Sequence, residues 1–244
     1  MPPPTLAAAP PSASSRSVSR RLVPSSRVER ALRREGHARV AGVDEVGRGP
    51  LAGPVVAGAV VLPQRWLRWL PELRDSKLLT ARQRERLAEL VRGRCEWGIG
   101  VVSTQVIDQL GIGPATRLAM RRAVLALPHP PDALIVDGRE HVEHAARQRP
   151  MVDADALCRS VSAASIVAKV ARDAMMRELD ARLPGYGFAR HVGYATPEHR
   201  EALRRLGYST AHRLTFAPVR LALDTSAARD GRRGPRPASV SPAA

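Results

Sequence analysis

Residues 41–63, AGVDEVGRGPLAGPVVAGAVVLP, set two adjacent acids, Asp44 and Glu45, inside a run with the composition of buried strands. Burying one unpaired carboxylate is costly and burying two side by side is worse, so something positive must meet them. Valines on both sides of a Gly- and Pro-rich middle predict two strands, 39–46 and 54–62, joined by a turn. Neighbouring residues on a regular strand point to opposite faces. For both acids to serve one site the strand must end, twist or bulge there, and Gly47 permits that.

The rest of the chain alternates helical and strand patterns. TARQRERLAELVRGR places Leu87, Leu90 and Val91 on one face behind a Thr80 cap and predicts a helix. CEWGIGVVS predicts a third strand, GPATRLAMRRAVLAL a helix ending before Pro128, and DALIVDG a buried strand closed by Asp137. SVSAASIVAKVARDAMMRELDARL predicts the longest helix, with Ile166, Val170, Met175 and Leu179 toward the core. Thr196, Pro197 and Gly207 bracket another helix. The mixture is α/β. The first 26 residues, Pro, Ala, Ser and Arg without an apolar period, read as disordered, and so does the stretch from Asp224 to the end. One domain fills the interval, about 27–222.

Four acids stand out by position. Asp44 and Glu45 close the first strand, Asp137 closes another, and Asp173 shares a helix face with Ser165 and Lys169 at i, i+4 spacing. Strand C-terminal ends are where α/β folds place their sites. If the four converge, only cations can hold them together. The hard oxygen donors suit Mg²⁺ or Mn²⁺, and two such ions ~3.5–4 Å apart serve phosphoryl transfer. The alternative is separate pairing of each acid with one of many arginines, and Asp173, flanked by Arg172 and Arg177, fits that reading by itself.

Gly47-Arg48-Gly49 is not a dinucleotide fingerprint, because Pro50 and Pro54 prevent a helix from opening at the glycines. No Gly-Lys-Ser/Thr occurs, which excludes a Walker loop. A glycine-rich turn beside the acids remains, with Arg48 available for a phosphate. The net charge of +16 is concentrated neither in the arm nor in the tail: residues 1–38 contribute five and 222–244 two, so the middle is basic in its own right. That favours a polyanionic partner. Cys95 and Cys158 form no ligand or disulfide pattern, which fits a reduced cytoplasmic setting. The longest apolar run, broken by Pro54, is too short to span a bilayer, and no membrane role is expected.

Taken in order, GVDEVGRGPLAGPVVAGAVVL, DSKLL, IVDG, SAASIVAKVARD, GYATPEH and HRLTFAPV resemble the bacterial ribonuclease HII family, the type 2 ribonucleases H. The match covers about 38–221, making 1–37 a disordered basic arm and 222–244 a disordered tail. The resemblance implies a ribonuclease H-like fold: a mixed, roughly five-stranded sheet flanked by helices, with a C-terminal helical extension. It implies an endonuclease that cuts the RNA strand of RNA–DNA hybrids and nicks 5′ of ribonucleotides embedded in duplex DNA, leaving 5′-phosphate and 3′-hydroxyl ends. The family's catalytic metal-binding acids fall on Asp44, Glu45, Asp137 and Asp173, holding two Mn²⁺ or Mg²⁺ ions. Its substrate-binding positions fall on Gly47, Arg48 and Gly49 at the 2′-hydroxyl, Tyr194 at the neighbouring deoxyribose, and Ser76 and Lys77 at a phosphate. A monomer without an obligate protein partner is expected.

Two stretches depart from the family pattern. Asp153 and Ala154 stand where Lys-Gly is common before Asp155, and Val192 stands where a basic residue is common. A nucleic-acid binder with purely structural acids, and a type 3 ribonuclease H, are the rival readings. Metal-dependent cleavage separates the first, and cleavage at a single embedded ribonucleotide the second.

Overall fold

A computed structural model of the chain describes residues 23–221. Helix α1 (Arg27–Arg34) leads into strand β1 (Val40–Val46) and strand β2 (Val55–Val61). Then come α2 (Ala81–Arg94), β3 (Glu96–Val102), α3 (Thr104–Leu110), α4 (Ile112–Leu125), β4 (Ala133–Asp137) and β5 (Arg147–Met151). The chain continues through α5 (Ala154–Leu157), the long α6 (Arg159–Arg182), α7 (Phe188–His191) and α8 (Pro197–Leu206). The sheet runs β3-β2-β1-β4-β5, antiparallel across β3, β2 and β1 and parallel across β1, β4 and β5.

All seven residues of β2 are buried, as expected for a central strand covered on both faces. Helix α4 covers one face through Ala115, Ala119 and Ala123; α6 and α2 cover the other through Ala163, Ile166, Val167 and Leu87. The approach of α6 is close enough that a Cβ on Gly42 would overlap the Ser160 backbone, and one on Gly58 the Ala164 carbonyl. Small residues here let the helix lie directly on strand backbone. Thr80 and Gln83 form a reciprocal capping box at the start of α2. Thr196 caps α8 through the His199 N–H.

The sequence-based expectations need correction at three places. Residues 27–34 form a helix, although 1–37 is expected to be disordered. Leu32 is 2% exposed, and Glu29, 1% exposed, accepts from the Ser160 N–H and hydroxyl at the first turn of α6. That buried contact anchors a segment whose composition suggests none. The other parts of the expected arm and tail, 1–22 and 222–244, lie outside the described residues. Of the three ways for the strand to free both acids, ending is the one realised: β1 pairs with β2 in unbroken register through Val46↔Val56 and ends there, with no bulge. On α6, Met176 rather than Met175 is the fully buried methionine. Helix α3 and strand β5 are additional elements. The five β5 residues, RQRPM, are mostly polar and form an edge strand with Pro150.

Candidate active site

Strands β1 and β4 pair in parallel up to Val43↔Val136 and then separate. The next residues are Asp44 and Asp137. The two acids therefore stand at the C-terminal ends of neighbouring parallel strands, at the mouth of the gap their separation opens. Asp44 shares the α6 face with Gly42, is 6% exposed and is hydrogen-bonded by the Ser165 side chain. One of its oxygens accepts the Glu45 N–H at 2.7 Å. Glu45 alternates to the other face at the strand end, where Arg48 meets its carboxylate at 3.3 Å. The separation of the strands, rather than a bulge, brings acids from both faces to one rim.

The electrostatics of this rim are unfavourable to the bare fold. Burial, then the charges of Glu45 and Asp137, hold Asp44 well above the usual carboxylate range, with the Ser165 hydrogen bond opposing. Burial raises Glu45 and Asp137 too; Arg48 works against the rise at Glu45, and the Ala154 and Gly138 N–H groups against it at Asp137. Asp155 is a further buried acid there, raised first by burial and then by Asp137. Burial lowers the Lys77 ammonium, but Asp75, Asp155, Asp44 and Asp137 outweigh it, so its pKa rises. Ser76 is buried with its hydroxyl 3.1 Å from that of Ser165, which leaves Lys77 as the exposed member of that pair.

Asp173 stands apart from this set of electrostatic neighbours. It is about 12 Å farther along α6 than Ser165 at 1.5 Å per residue, and Lys169 Nζ holds one of its oxygens at 2.5 Å. Among the described residues, no three acidic, histidine or cysteine side chains close into a metal cage. The donor set nonetheless fits a hard divalent ion. Such ions are commonly bound by one or two carboxylates with water and substrate phosphates completing the shell. A cation would offset the burial that raises Asp44, Glu45 and Asp137, and the carboxylate repulsion that adds to it at Asp44 and Glu45.

Beside the acids, the loop 47–54 turns at Gly47, whose φ is 90° and where a Cβ would overlap the Arg172 side chain. Tyr194, 47% exposed, lies over the same loop: a Cβ on Gly49 would be 3.7 Å from its ring. Gly49 and Tyr194 thus share one surface, with Arg48 exposed beside them and Gly47 buried at the base of the loop. Val192 and Asp153, two of the three residues that depart from the family pattern, are also the two non-glycine residues with positive φ among those described, 43° and 56°. A β-branched residue there is strained. Arg172 secures the segment by donating to the Val192 carbonyl at 3.0 Å.

Behind Tyr194 is a buried histidine chain whose protons are fixed by its partners. A carbonyl can only accept, so His199 donates from Nδ1 to the Tyr194 oxygen at 2.8 Å. Its Nε2 must then accept from His212 Nε2 at 3.1 Å. That leaves His212 Nδ1 to accept from the Ser209 N–H and hydroxyl, at 3.0 and 2.9 Å. Neither ring has room for a second proton. Burial, then His199, pushes His212 down to about 3; burial also lowers His199. Groups with depressed folded pKa values of this kind let the unfolded chain bind protons first as pH falls, so stability is lost from about pH 6.5 toward 3. Between pH 7 and pH 5 the raised carboxylates act in the opposite sense, so the expected result is a difference: His212→Gln removes the histidine loss, and its denaturant midpoint changes less unfavourably over that interval than that of the wild type. Equal slopes in the two proteins would contradict the assignment.

The sequence reading did not anticipate Arg172, Arg213, Asp155, His199 and His212 as parts of this site. Arg172 and Asp155 lie beside residues it singled out, and His212-Arg213 opens one of the motifs behind the resemblance. Residues 41–219 match the family described as Ribonuclease HII. A ribonuclease HII of Geobacillus kaustophilus is 52% identical over 201 residues, 82% of this chain and 76% of that protein. The crystal structure of ribonuclease H2 from Pyrococcus horikoshii superposes with a TM-score of 0.67 at 28% identity, covering 77% of this chain and 98% of that one. The ribonuclease HII in a PCNA complex from Archaeoglobus fulgidus gives 0.63 at 27%, covering 73% and 95%. With its acids at the mouth of the β1–β4 gap, and with this extent of similarity, the chain belongs to the ribonuclease HII family of ribonuclease H endonucleases.

Proposed function

We propose that this ribonuclease H requires a divalent cation, Mn²⁺ or Mg²⁺, cuts the RNA strand of RNA–DNA hybrids, and nicks 5′ of single ribonucleotides in duplex DNA. The products would carry 5′-phosphate and 3′-hydroxyl ends. The observation that carries this reading is the buried Asp44 facing Asp137 across the strand gap, next to a glycine turn with an exposed arginine and tyrosine. Asp44, Glu45 and Asp137 would hold the ions, with Asp173 joining once Lys169 releases it. Bound there, divalent ions supply charge neutralisation at the attacking and leaving oxygens of an in-line phosphate displacement.

The chain's own groups do the rest. Lys77 holds a phosphate near the acids, and Ser76 supports it indirectly by fixing Ser165 beside Asp44. Arg48, exposed and only loosely paired with Glu45, can exchange that partner for a phosphate. Backbone groups of Gly47, Arg48 and Gly49 read the 2′-hydroxyl, which distinguishes RNA from DNA. Tyr194 packs on the next deoxyribose. The enzyme works as a monomer in a reducing, cytoplasmic setting. Cys95 and Cys158 are both free, and burial pushes each thiol up to about 12. No helix among the described residues is long and apolar enough to cross a membrane.

The test is a duplex carrying one ribonucleotide, cleaved with and without divalent ion and mapped to the nucleotide. One nick 5′ of the ribonucleotide, absent in chelator, is the expected result. Cleavage that persists in chelator would overturn the metal requirement. Cleavage of hybrid but not of this duplex would favour the type 3 reading.

A further inference from the structure

Five carbonyl oxygens of the 47–54 loop, those of Gly47, Arg48, Ala52, Gly53 and Pro54, point inward onto two buried guanidinium groups. Arg213 donates from Nη2 to Gly47 and Gly53 at 2.6 and 2.8 Å, from Nη1 to Arg48 at 2.8 Å, and from Nε to Gly53 at 3.0 Å. Arg172 donates to Pro54 and Ala52 at 3.0 and 3.2 Å. Both arginines are 0% exposed, and the donors just named all go to backbone carbonyls rather than to carboxylates. Burial, then Arg172, lowers Arg213 to about 9, so it stays cationic at neutral pH.

The loop has no cis peptide. A trans peptide sets its N–H opposite its C=O. Turning the Gly47 and Arg48 carbonyls inward therefore turns the N–H groups of Arg48 and Gly49 outward. Both residues are exposed, and neither N–H has a partner among the described residues. Two adjacent outward donors form a concave site for one oxygen acceptor, and the cation behind them aligns the peptide dipoles in the same sense.

We infer that Arg213 is a specificity-determining positioning residue, whose planar fork fixes the loop so that the Arg48 and Gly49 N–H groups meet the ribose 2′-oxygen. This rests on the reading that the loop contacts the 2′-hydroxyl. Arg213 touches no substrate; it acts through the loop. A lysine keeps the charge but presents its donors from a single point, and cannot span the Gly47, Arg48 and Gly53 carbonyls as the fork does.

The experiment compares the full-length chain and Arg213→Lys by fluorescence anisotropy on two duplexes that differ in one 2′-hydroxyl. Ca²⁺ serves as the divalent ion, and a gel confirms that the duplexes stay intact. The expected result is a wild-type preference for the ribonucleotide duplex that falls about tenfold in Arg213→Lys. Affinity for the all-deoxy duplex, which rests on phosphate contacts, should stay within about twofold. A wild-type preference retained by folded Arg213→Lys overturns the inference. A wild type without preference overturns the loop reading itself. Should Arg213→Lys fail to fold, Phe216→Leu takes its place, because the Phe216 ring lies 5.1 Å from the guanidinium and helps to orient it. A drop of about threefold in the same ratio is then expected, and an unchanged ratio overturns the inference.

Discussion

Asp44→Asn is expected to reduce cleavage of a singly ribo-substituted duplex about a thousandfold, equivalent to ~4 kcal/mol of transition-state stabilisation, a normal share for metal-assisted charge neutralisation. Binding of the duplex should survive, because Lys77, Arg48 and the basic surface are untouched. The substitution is nearly isosteric and removes one of the mutually repelling charges on the rim. The sign of its stability effect follows. A carboxylate whose folded pKa is raised keeps its proton longer in the native state, so it costs stability as pH rises through that folded pKa. Without divalent ions, Asp44→Asn should therefore unfold at higher denaturant than the wild type at neutral pH. Lost activity with gained stability separates a functional acid from a structural one. Lost activity with lost stability would point to a structural role.

Gly42→Ala has the largest expected effect on the fold. A Cβ at position 42 meets the Ser160 backbone, which cannot rotate away as a side chain could. Either β1 or α6 must shift. Overpacking of this kind costs about 3 kcal/mol, which for a domain of this size lowers Tm by roughly 6–12 °C. Activity should fall in the protein that still folds, because α6 also carries Ser165, the hydrogen-bond partner of Asp44. Gly93→Ala is the control. It lies in α2 with nothing within 4 Å of the added carbon, so it should leave stability unchanged or raise it by about 0.5–1 kcal/mol. Thermal melts and cleavage rates of both variants check this. Matching melting temperatures for Gly42→Ala and wild type would show that the helix–sheet spacing is not fixed there.

Much of the scaffold is legible in the sequence because its signals are local. The valine runs of β1 and β2, the Thr80 and Thr196 caps, and the long apolar face of α6 depend on residues within one or two turns of one another. Strand β5 is not legible. Its polar residues and Pro150 are extended because β4 offers them a parallel partner, which periodicity cannot reveal. Helix α1 is hidden likewise, since its anchor, Glu29, is 131 positions from Ser160.

The same division runs through the site. Asp44, Glu45 and Asp137 announce themselves as acids in apolar surroundings. How Asp44 and Glu45 serve one rim depends on β4 leaving β1 after Val43, a tertiary event with no local signature. Arg172 and Arg213 are the opposite case. In a chain with 37 arginines among its 39 basic residues, two that are fully buried against carbonyls look like all the rest. Asp173 differs from the other three acids in having a lysine partner one turn away on its own helix, which holds one of its oxygens.

Calorimetric titration of Mn²⁺ into the full-length protein, without nucleic acid, tests most directly whether these carboxylates form an ion site. Saturable binding in the wild type that weakens at least about tenfold in Asp44→Asn is the predicted result. Equal binding by the two proteins, or none by the wild type, would contradict it.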